Sequence, residues 1–407
     1  LIITMKVRGS ISFLSVVLLF LPLTKAFEVP YPQSSAEIRS SIVASELVDG
    51  SFAAPPQNSN NENQPITRQF QLGSGTMAEV ITCIPPKKRT TSPDMLENIF
   101  SSLFGNDNKK SSPTNSRPTL AFLHGSFHAS WCWAEKYMPY FASLGYPCVA
   151  FSLQGTGGTP VMEAGAKKVK IASHVADLNA FLKGLSDDDT ASLGLELGND
   201  PKIVLIGHSF GGLTIMKWLE QIYDDNNTDN NNANNVNLAG VGLMCSVPPS
   251  GNGAMTMRFI RRSLRDAWKI TAGFVMKKAI TDKAICRDLF FGGTEDENGI
   301  SDEDLERYQS YFLRDTVATI DLSDLAKKLP SALADKETGR APFVDRLPPT
   351  FVIGATEDFI VDSEGVDETA RYMGLDQPLI VDSPHDVMLG RRWNNGADAI
   401  LEFVGTL

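Results

Sequence analysis

From residue 119 onward the chain alternates short, almost wholly apolar runs with longer stretches whose apolar positions recur at helical spacing. The runs are Thr119–Leu123, Pro147–Leu153, Lys202–Ile206, Leu238–Cys245, Thr350–Ile353 and Pro378–Val381. A short run that is apolar throughout suits a strand buried on both faces, as in a parallel sheet covered by helices. Between the runs, Trp131–Leu144, Val169–Leu185, Leu213–Tyr223 and Ser363–Met373 each read as a helix. Strand alternating with helix predicts an α/β fold built on a doubly wound, mostly parallel sheet. Upstream, Arg68–Leu72 and Ala78–Ile84 alternate apolar and polar residues across Gly73-Ser74-Gly75, which predicts a hairpin.

Three intervals interrupt this rhythm. Pro85–Arg117 is rich in Lys, Ser, Asn and Pro and reads as a surface insertion, and the Asn-rich stretch Asp224–Asn237 as an exposed loop. Within that loop Asn226–Thr228 forms a glycosylation sequon. The longest interruption, Ser250–Arg346, holds helical patterns and no convincing strand, yet it lies between two strands of the sheet. It must leave the sheet and return, so it is expected to form a helical cap at about 250–346. Met255, Met257, Phe259, Trp268, Phe274 and Met276 make its first part apolar. Packing between cap helices accounts for these side chains more economically than substrate contact.

The beginning of the chain reads as an address. Met5 is the expected start, Lys6 and Arg8 supply positive charge, and Ile11–Leu23 is an apolar run. That run is shorter than the about 20 residues a membrane span needs. Thr24-Lys25-Ala26 precedes an expected cut at Phe27, which makes residues 1–26 a signal peptide. Residues 27–65, with Pro, Ser, Asn and Gln and little periodicity, read as a disordered leader, and the folded domain is expected over 66–407. Phenylalanine directly after the cut resembles the bipartite plastid-targeting leaders of diatoms and related algae. Glu28, Glu37, Glu46 and Asp49 depart from that pattern, because transit segments avoid acids. Entry to the secretory pathway is therefore expected, with a plastid, the lumen or the exterior as destination.

Composition narrows the partners. Hydrophobic content of 42% and charged content of 21% are ordinary for a globular protein. A net charge of −11 speaks against nucleic acid and anionic membrane as partners, since both reward a basic surface. Five widely spaced cysteines (Cys83, Cys132, Cys148, Cys245, Cys286) form neither a metal pattern nor a disulfide framework, and most of them are expected as buried thiols.

The chemistry sits at the ends of the apolar runs. Lys202–Ile206 leads into Gly207-His208-Ser209-Phe210-Gly211-Gly212 and then into the helical Leu213–Tyr223. A G-x-S-x-G between strand and helix is a nucleophile elbow, with glycines where larger side chains would collide in the tight turn. Ser209 would then sit at a helix N-terminus, where N–H groups and the helix dipole favour developing negative charge. A serine hydroxyl needs a base. Of five histidines, His208 adjoins Ser209 inside the turn, His124 and His128 follow an early strand, and His174 falls in a helical pattern. That leaves His385, in the loop after the last strand. The acid should lie between serine and histidine in the chain. Phe351–Phe359 offers Asp358, with Glu357 and Asp362 as less well placed rivals. The oxyanion donors are expected to be the N–H of Phe210 and that of Ser126, in the loop His124-Gly125-Ser126-Phe127.

Together these segments resemble the α/β-hydrolase superfamily from about Arg68 to the C-terminus. His124-Gly125-Ser126-Phe127-His128-Ala129-Ser130-Trp131-Cys132-Trp133 is similar to the oxyanion segment of the plant methyl-esterase and hydroxynitrile-lyase branch. Phe151-Ser152-Leu153-Gln154-Gly155-Thr156-Gly157-Gly158-Thr159 stands where the family carries D-x-R-G-x-G-x-S, and lacks both the Asp and the Arg. The resemblance implies a serine hydrolase acting on a carboxylic ester through an acyl-enzyme, without metal or cofactor and with a small-molecule substrate. A dehalogenase or epoxide hydrolase would need an aspartate at position 209. A hydroxynitrile lyase would need a lysine near the triad, and only Lys269, Lys277 and Lys278 of the cap could reach. Acyl transfer and a non-catalytic ligand-binding role are the remaining alternatives.

Overall fold

The computed structural model describes residues 63–86, 117–186, 193–195, 197, 200–224, 236–293 and 299–407. The signal segment, the leader up to residue 62, the sequon and most of the 85–117 stretch lie outside the described residues. In chain order the strands are β1 (Ile66–Gln71), β2 (Met77–Cys83), β3 (Thr119–Leu123), β4 (Cys148–Phe151), β5 (Lys168–Val169), β6 (Ile203–His208), β7 (Leu238–Met244), β8 (Thr319–Ile320), β9 (Thr350–Glu357) and β10 (Leu379–Pro384).

Eight of them form one sheet in the order β1-β2-β4-β3-β6-β7-β9-β10. From β4 to β10 every pairing is parallel, while β1–β2 and β2–β4 are antiparallel. β3, β4 and β6 are buried at every residue, as strands covered on both faces must be. β9 runs on past its apolar core through Gly354-Ala355-Thr356-Glu357, so it delivers Asp358 beyond its carboxyl end.

The helices are α1 (Trp131–Ala134), α2 (Tyr137–Ser143), α3 (Ile171–Ser186), α4 (Phe210–Ile222), α5 (Asn252–Arg262), α6 (Leu264–Ile270), α7 (Lys283–Cys286), α8 (Asp302–Asp315), α9 (Leu322–Leu325), α10 (Ser363–Tyr372) and α11 (Trp393–Gly405). The single helix expected over Trp131–Leu144 is two. Pro139 has no N–H and its ring would collide with the carbonyl of residue 135 in a continuous helix. The chain breaks at Glu135-Lys136 and restarts, which puts Pro139 in the first turn of α2, where it is tolerated.

Between β7 and β9 lie α5 to α9, together with π-helical turns at Thr271–Val275 and Arg287–Phe291. Two expectations need correction here. The interval does contain a strand, β8, and Val169 belongs to its partner β5 and not to a helix; the two pair in parallel over Lys168↔Thr319 and Val169↔Ile320. A two-residue strand leaves no readable alternation, and its partner is far away in sequence. Asp315, at the end of α8, fixes the same junction. Its carboxylate is buried and accepts from Trp131 Nε1 and Gly157 N–H at 2.8 Å each.

The segment Phe151–Thr159 is held by a carboxylate from β2. Glu79 of β2 accepts from Ser130 Oγ (2.9 Å), Ser152 Oγ (2.8 Å) and Gly158 N–H (2.9 Å). A Cβ on Gly157 would lie 2.2 Å from a Glu79 oxygen, so the loop can close on this carboxylate only as glycine. All five cysteines are free and buried.

Candidate active site

β6 ends at His208 and α4 begins at Phe210, leaving Ser209 alone in the turn with φ 52° and ψ −119°. A non-glycine residue with positive φ is strained, and such strain collects where structure around it enforces it. Here the enforcement is visible. Ser209 N–H donates to Met244 O at 3.0 Å, and Ser209 O accepts from Gly212 N–H (3.1 Å) and Val247 N–H (3.2 Å). A Cβ on Gly211 would stand 2.5 Å from Leu123 O and 2.6 Å from His124 O; one on Gly207 would stand 2.8 Å from Gly212 N. The elbow is therefore packed against β3 and its following loop by backbone-to-backbone contact. Ser209 is 7% exposed.

The loop after β3 lies directly on this turn. A Cβ on Gly125 would fall 2.7 Å from Ser209 Cβ, so Ser126 follows a residue that touches the serine. Phe210 is the first residue of α4, and helix geometry gives its N–H no acceptor within the helix. Phe127 also has positive φ, 71°. Its ring meets Phe274, Phe290 and Phe312 at centroid distances of 5.1, 5.9 and 6.0 Å. Side chains of the interval between β7 and β9 thereby pack against the loop that carries Ser126.

His385 and Asp358 are brought together at the carboxyl ends of β10 and β9. His385 Nδ1 contacts Asp358 Oδ1 at 2.9 Å and Oδ2 at 2.8 Å, and the two side chains are 2% and 1% exposed. The carboxylate is held from behind by Ile360 and Val361, whose N–H groups both donate to Oδ1 at 2.8 Å. Burial pulls the His385 pKa down, but the charge and hydrogen bond of Asp358, aided by Asp386, outweigh it and leave the pKa raised. The rivals for the acid are occupied elsewhere. Glu357, itself exposed, accepts from Arg392 at 2.6 Å. Asp362 takes Arg258 at 2.6 and 2.7 Å and caps α10 through Gly365 N–H.

His208, the residue before Ser209, reaches the backbone of His385. His208 Nε2 donates to His385 O at 3.0 Å, and the two rings lie 4.7 Å apart. Burial drives the His208 pKa well below its ordinary value, so this ring stays neutral. His124 is likewise neutral, its pKa lowered to about 4 by burial. Its Nδ1 donates to Gly125 O at 2.8 Å, and its Nε2 accepts from Leu153 N–H at 3.0 Å. Cys245 Sγ lies within 4.8 Å of Asp358 and His385. Burial, then the Asp358 charge, hold its thiol well above the ordinary range, so it neighbours the pair as a neutral group.

One arrangement was not legible beforehand. His128, set aside as a loop residue, spans the site. Its Nδ1 donates to Ser126 O at 2.8 Å, and its Nε2 meets Asp386 Oδ2 at 2.9 Å. Asp386 is fully buried and follows His385 directly. The loop of Ser126 and the loop of His385 are thus joined by one imidazole.

Residues 120–392 match the model of the alpha/beta hydrolase family. The chain belongs to that family. Among curated proteins it is similar to Methylesterase 2 of Arabidopsis thaliana, 28% identical over 105 residues, which is 26% of this chain and 35% of that protein. Methylesterase 1 of the same plant is 29% identical over 102 residues, 25% of this chain and 34% of that protein. The similarity thus spans about a third of the length of these relatives. Solved structures share the fold at lower identity. The crystal structure of lip1 from Acinetobacter baumannii AYE matches with a TM-score of 0.51 at 13% identity, covering 88% of this chain and all of that one. VrEH2 matches with a TM-score of 0.52 at 13% identity, covering 84% of this chain and 99% of that one.

Proposed function

We propose that this hydrolase cleaves a carboxylic ester with Ser209 as nucleophile, His385 as general base and acid, and Asp358 as the carboxylate that orients His385. The observation that carries the reading is the His385–Asp358 pair. Of the three acids near the end of β9, only Asp358 meets the imidazole, and two backbone N–H groups fix it there. Its Oδ contacts occupy Nδ1, which leaves Nε2 as the ring nitrogen able to take the Ser209 proton.

Attack by Ser209 Oγ on the ester carbonyl transfers the hydroxyl proton to His385 and produces a tetrahedral oxyanion. The N–H groups of Phe210 and Ser126 receive that charge, and donors of this kind are each worth about 10²–10³ in rate. Collapse expels the alcohol, protonated by His385, and leaves an acyl group on Ser209. Water, deprotonated by the same imidazole, then releases the acid. His128 fixes Ser126 by its carbonyl, so it acts as a positioning residue for the oxyanion loop.

The kinship with the Arabidopsis methylesterases supports an ester as substrate. Serine at position 209 argues against the epoxide-hydrolase alternative, which needs an aspartate there. Acyl transfer uses the same steps with an alcohol in place of water. A panel of p-nitrophenyl esters of increasing acyl length tests the reading. Wild-type protein should hydrolyse at least one of them and Ser209→Ala none, with both melting alike. A wild-type protein inert across acyl and methyl esters alike would refute it. We further propose that residues 1–26 are removed as a signal peptide, for which N-terminal sequencing beginning at or beyond Phe27 is the test.

A further inference from the structure

The charge of −11 is not spread evenly. Residues 252–283, the first part of the interval between β7 and β9, carry eight Lys or Arg against two Asp. The same segment exposes large apolar side chains. Leu264 is 66% exposed, Trp268 50% and Met276 54%. Leu264 and Trp268 are one turn apart on α6 and so share a side. Lys278 Nζ lies over the Trp268 ring at 5.6 Å, which brings the Met276–Lys278 turn to the same edge. Arg261 and Arg265 are exposed beside them and have no carboxylate partner among the described residues.

The opposite side of this segment is committed to the core. Phe274 packs edge-on against Phe127 at 5.1 Å, Lys269 Nζ lies 5.5 Å from the Phe359 ring and pairs with Asp288, and Arg258 pairs with Asp362. One side is therefore fixed on the loops that carry Ser126 and Asp358. The other offers tryptophan, leucine and methionine bordered by unpaired cations.

From this arrangement we infer that the Leu264–Trp268–Met276 face is a docking surface for an anionic lipid bilayer. Trp and Leu belong at the boundary between headgroups and acyl chains, and flanking Arg and Lys meet lipid phosphates. Net charge does not oppose this. At physiological salt, charges more than about 8 Å apart are largely screened, so a bilayer senses the local basic patch and not the distant acids. Neither a span nor a lipid anchor is involved, and no helix of the described residues is long and apolar enough to cross a membrane. The surface stands independently of the catalytic roles assigned above.

Co-sedimentation of the full chain with vesicles tests it, using equal parts phosphatidylcholine and phosphatidylglycerol, with phosphatidylcholine alone for comparison. Wild type should bind the mixed vesicles and release in high salt. Each basic residue near an anionic surface is worth about fivefold in partitioning, so Arg261→Glu with Arg265→Glu should weaken binding at least about thirtyfold. Trp268→Ser should weaken it severalfold, and Leu379→Ser, an exposed apolar site on β10, should not. Circular dichroism confirms that each variant is folded. Three results would overturn the inference: no binding by folded wild type, binding undiminished by the charge reversal, or binding equal on poly-glutamate and indifferent to Trp268→Ser. The last would make the partner an acidic protein.

Discussion

Replacing Asp358 by asparagine tests the acid with almost no change in shape. Asp358 Oδ1 accepts two N–H groups, from Ile360 and Val361, each at 2.8 Å. An asparagine carbonyl satisfies both only if it takes the Oδ1 place. Its NH₂ then occupies the Oδ2 place, 2.8 Å from His385 Nδ1. Nδ1–H then keeps Oδ1 at 2.9 Å but faces a second donor at 2.8 Å, a conflict that favours the tautomer with Nδ1 as acceptor and the ring proton on Nε2. Nε2 is the atom that has to take the Ser209 proton, so the base is lost while the fold is kept. A loss of up to about 10⁴ in kcat is expected from the wrong tautomer, about 5 kcal/mol in the barrier. With two of the carboxylate's hydrogen bonds preserved, stability should fall by no more than about 1–3 kcal/mol. Initial rates on a p-nitrophenyl ester, beside a thermal melt, measure both. Glu357→Gln and Asp362→Asn serve as controls, because their partners are Arg392 and Arg258; Asp362→Asn should cost stability and spare kcat. A folded Asp358→Asn enzyme within tenfold of wild type would refute the reasoning, as would Asp362→Asn being the crippling change.

Three further outcomes follow from the same geometry. The raised pKa of His385 places the acid limb of kcat/KM above the ordinary histidine value of about 6.5, since only the neutral ring can act as base. The sign for stability is opposite: a histidine whose pKa is raised on folding stabilises fully below about pH 6.5 and loses that contribution as pH climbs through its folded value. A pH-rate profile with its midpoint at or below 6 would contradict this. His128→Leu leaves the buried Asp386 carboxylate without its imidazole and should cost about 3–5 kcal/mol, with Asp386→Leu in the same chain recovering part of it; strictly additive urea-denaturation energies would deny the link. Gly211→Ala sets a methyl 2.5 Å from Leu123 O and should destabilise by about 1–3 kcal/mol or more while abolishing activity. Gly253→Ala on α5, with nothing within 4 Å, should be neutral or slightly stabilising in the same melt.

The strands of the parallel sheet were legible because burial on both faces leaves an unbroken apolar run. Their ends were less so, since β6 and β9 continue into Gly207-His208 and Gly354–Glu357, where chemistry and tight packing replace hydrophobicity. Ser209 was readable because the whole device is local, with strand, turn and helix within a few residues. Elimination among five histidines points to His385, and Asp358 is only ranked above Glu357 and Asp362, because side-chain direction within a loop is set by backbone bonds that sequence does not display; the contact between the two is seen only in the structure. What stayed hidden was long-range pairing of polar groups. His128 and Asp386 are 258 residues apart, and Glu79 meets Ser152 across 73. The β5–β8 pair is two residues long on each side. Net charge is a sum over the chain, and it does not display the local excess of eight Lys or Arg over two Asp on residues 252–283.

If Ser209 is the nucleophile that becomes acylated, a fluorophosphonate reagent will trap it as a covalent adduct. The reagent's phosphorus takes the place of the ester carbonyl, fluoride leaves, and the serine oxygen carries the adduct. Intact-mass and peptide mapping of treated wild-type protein should show one adduct, on the peptide containing Gly207-His208-Ser209-Phe210-Gly211. The adduct should be absent from Ser209→Ala and formed far more slowly in His385→Ala. An adduct on any other residue, or labelling that persists in folded Ser209→Ala, would contradict the account.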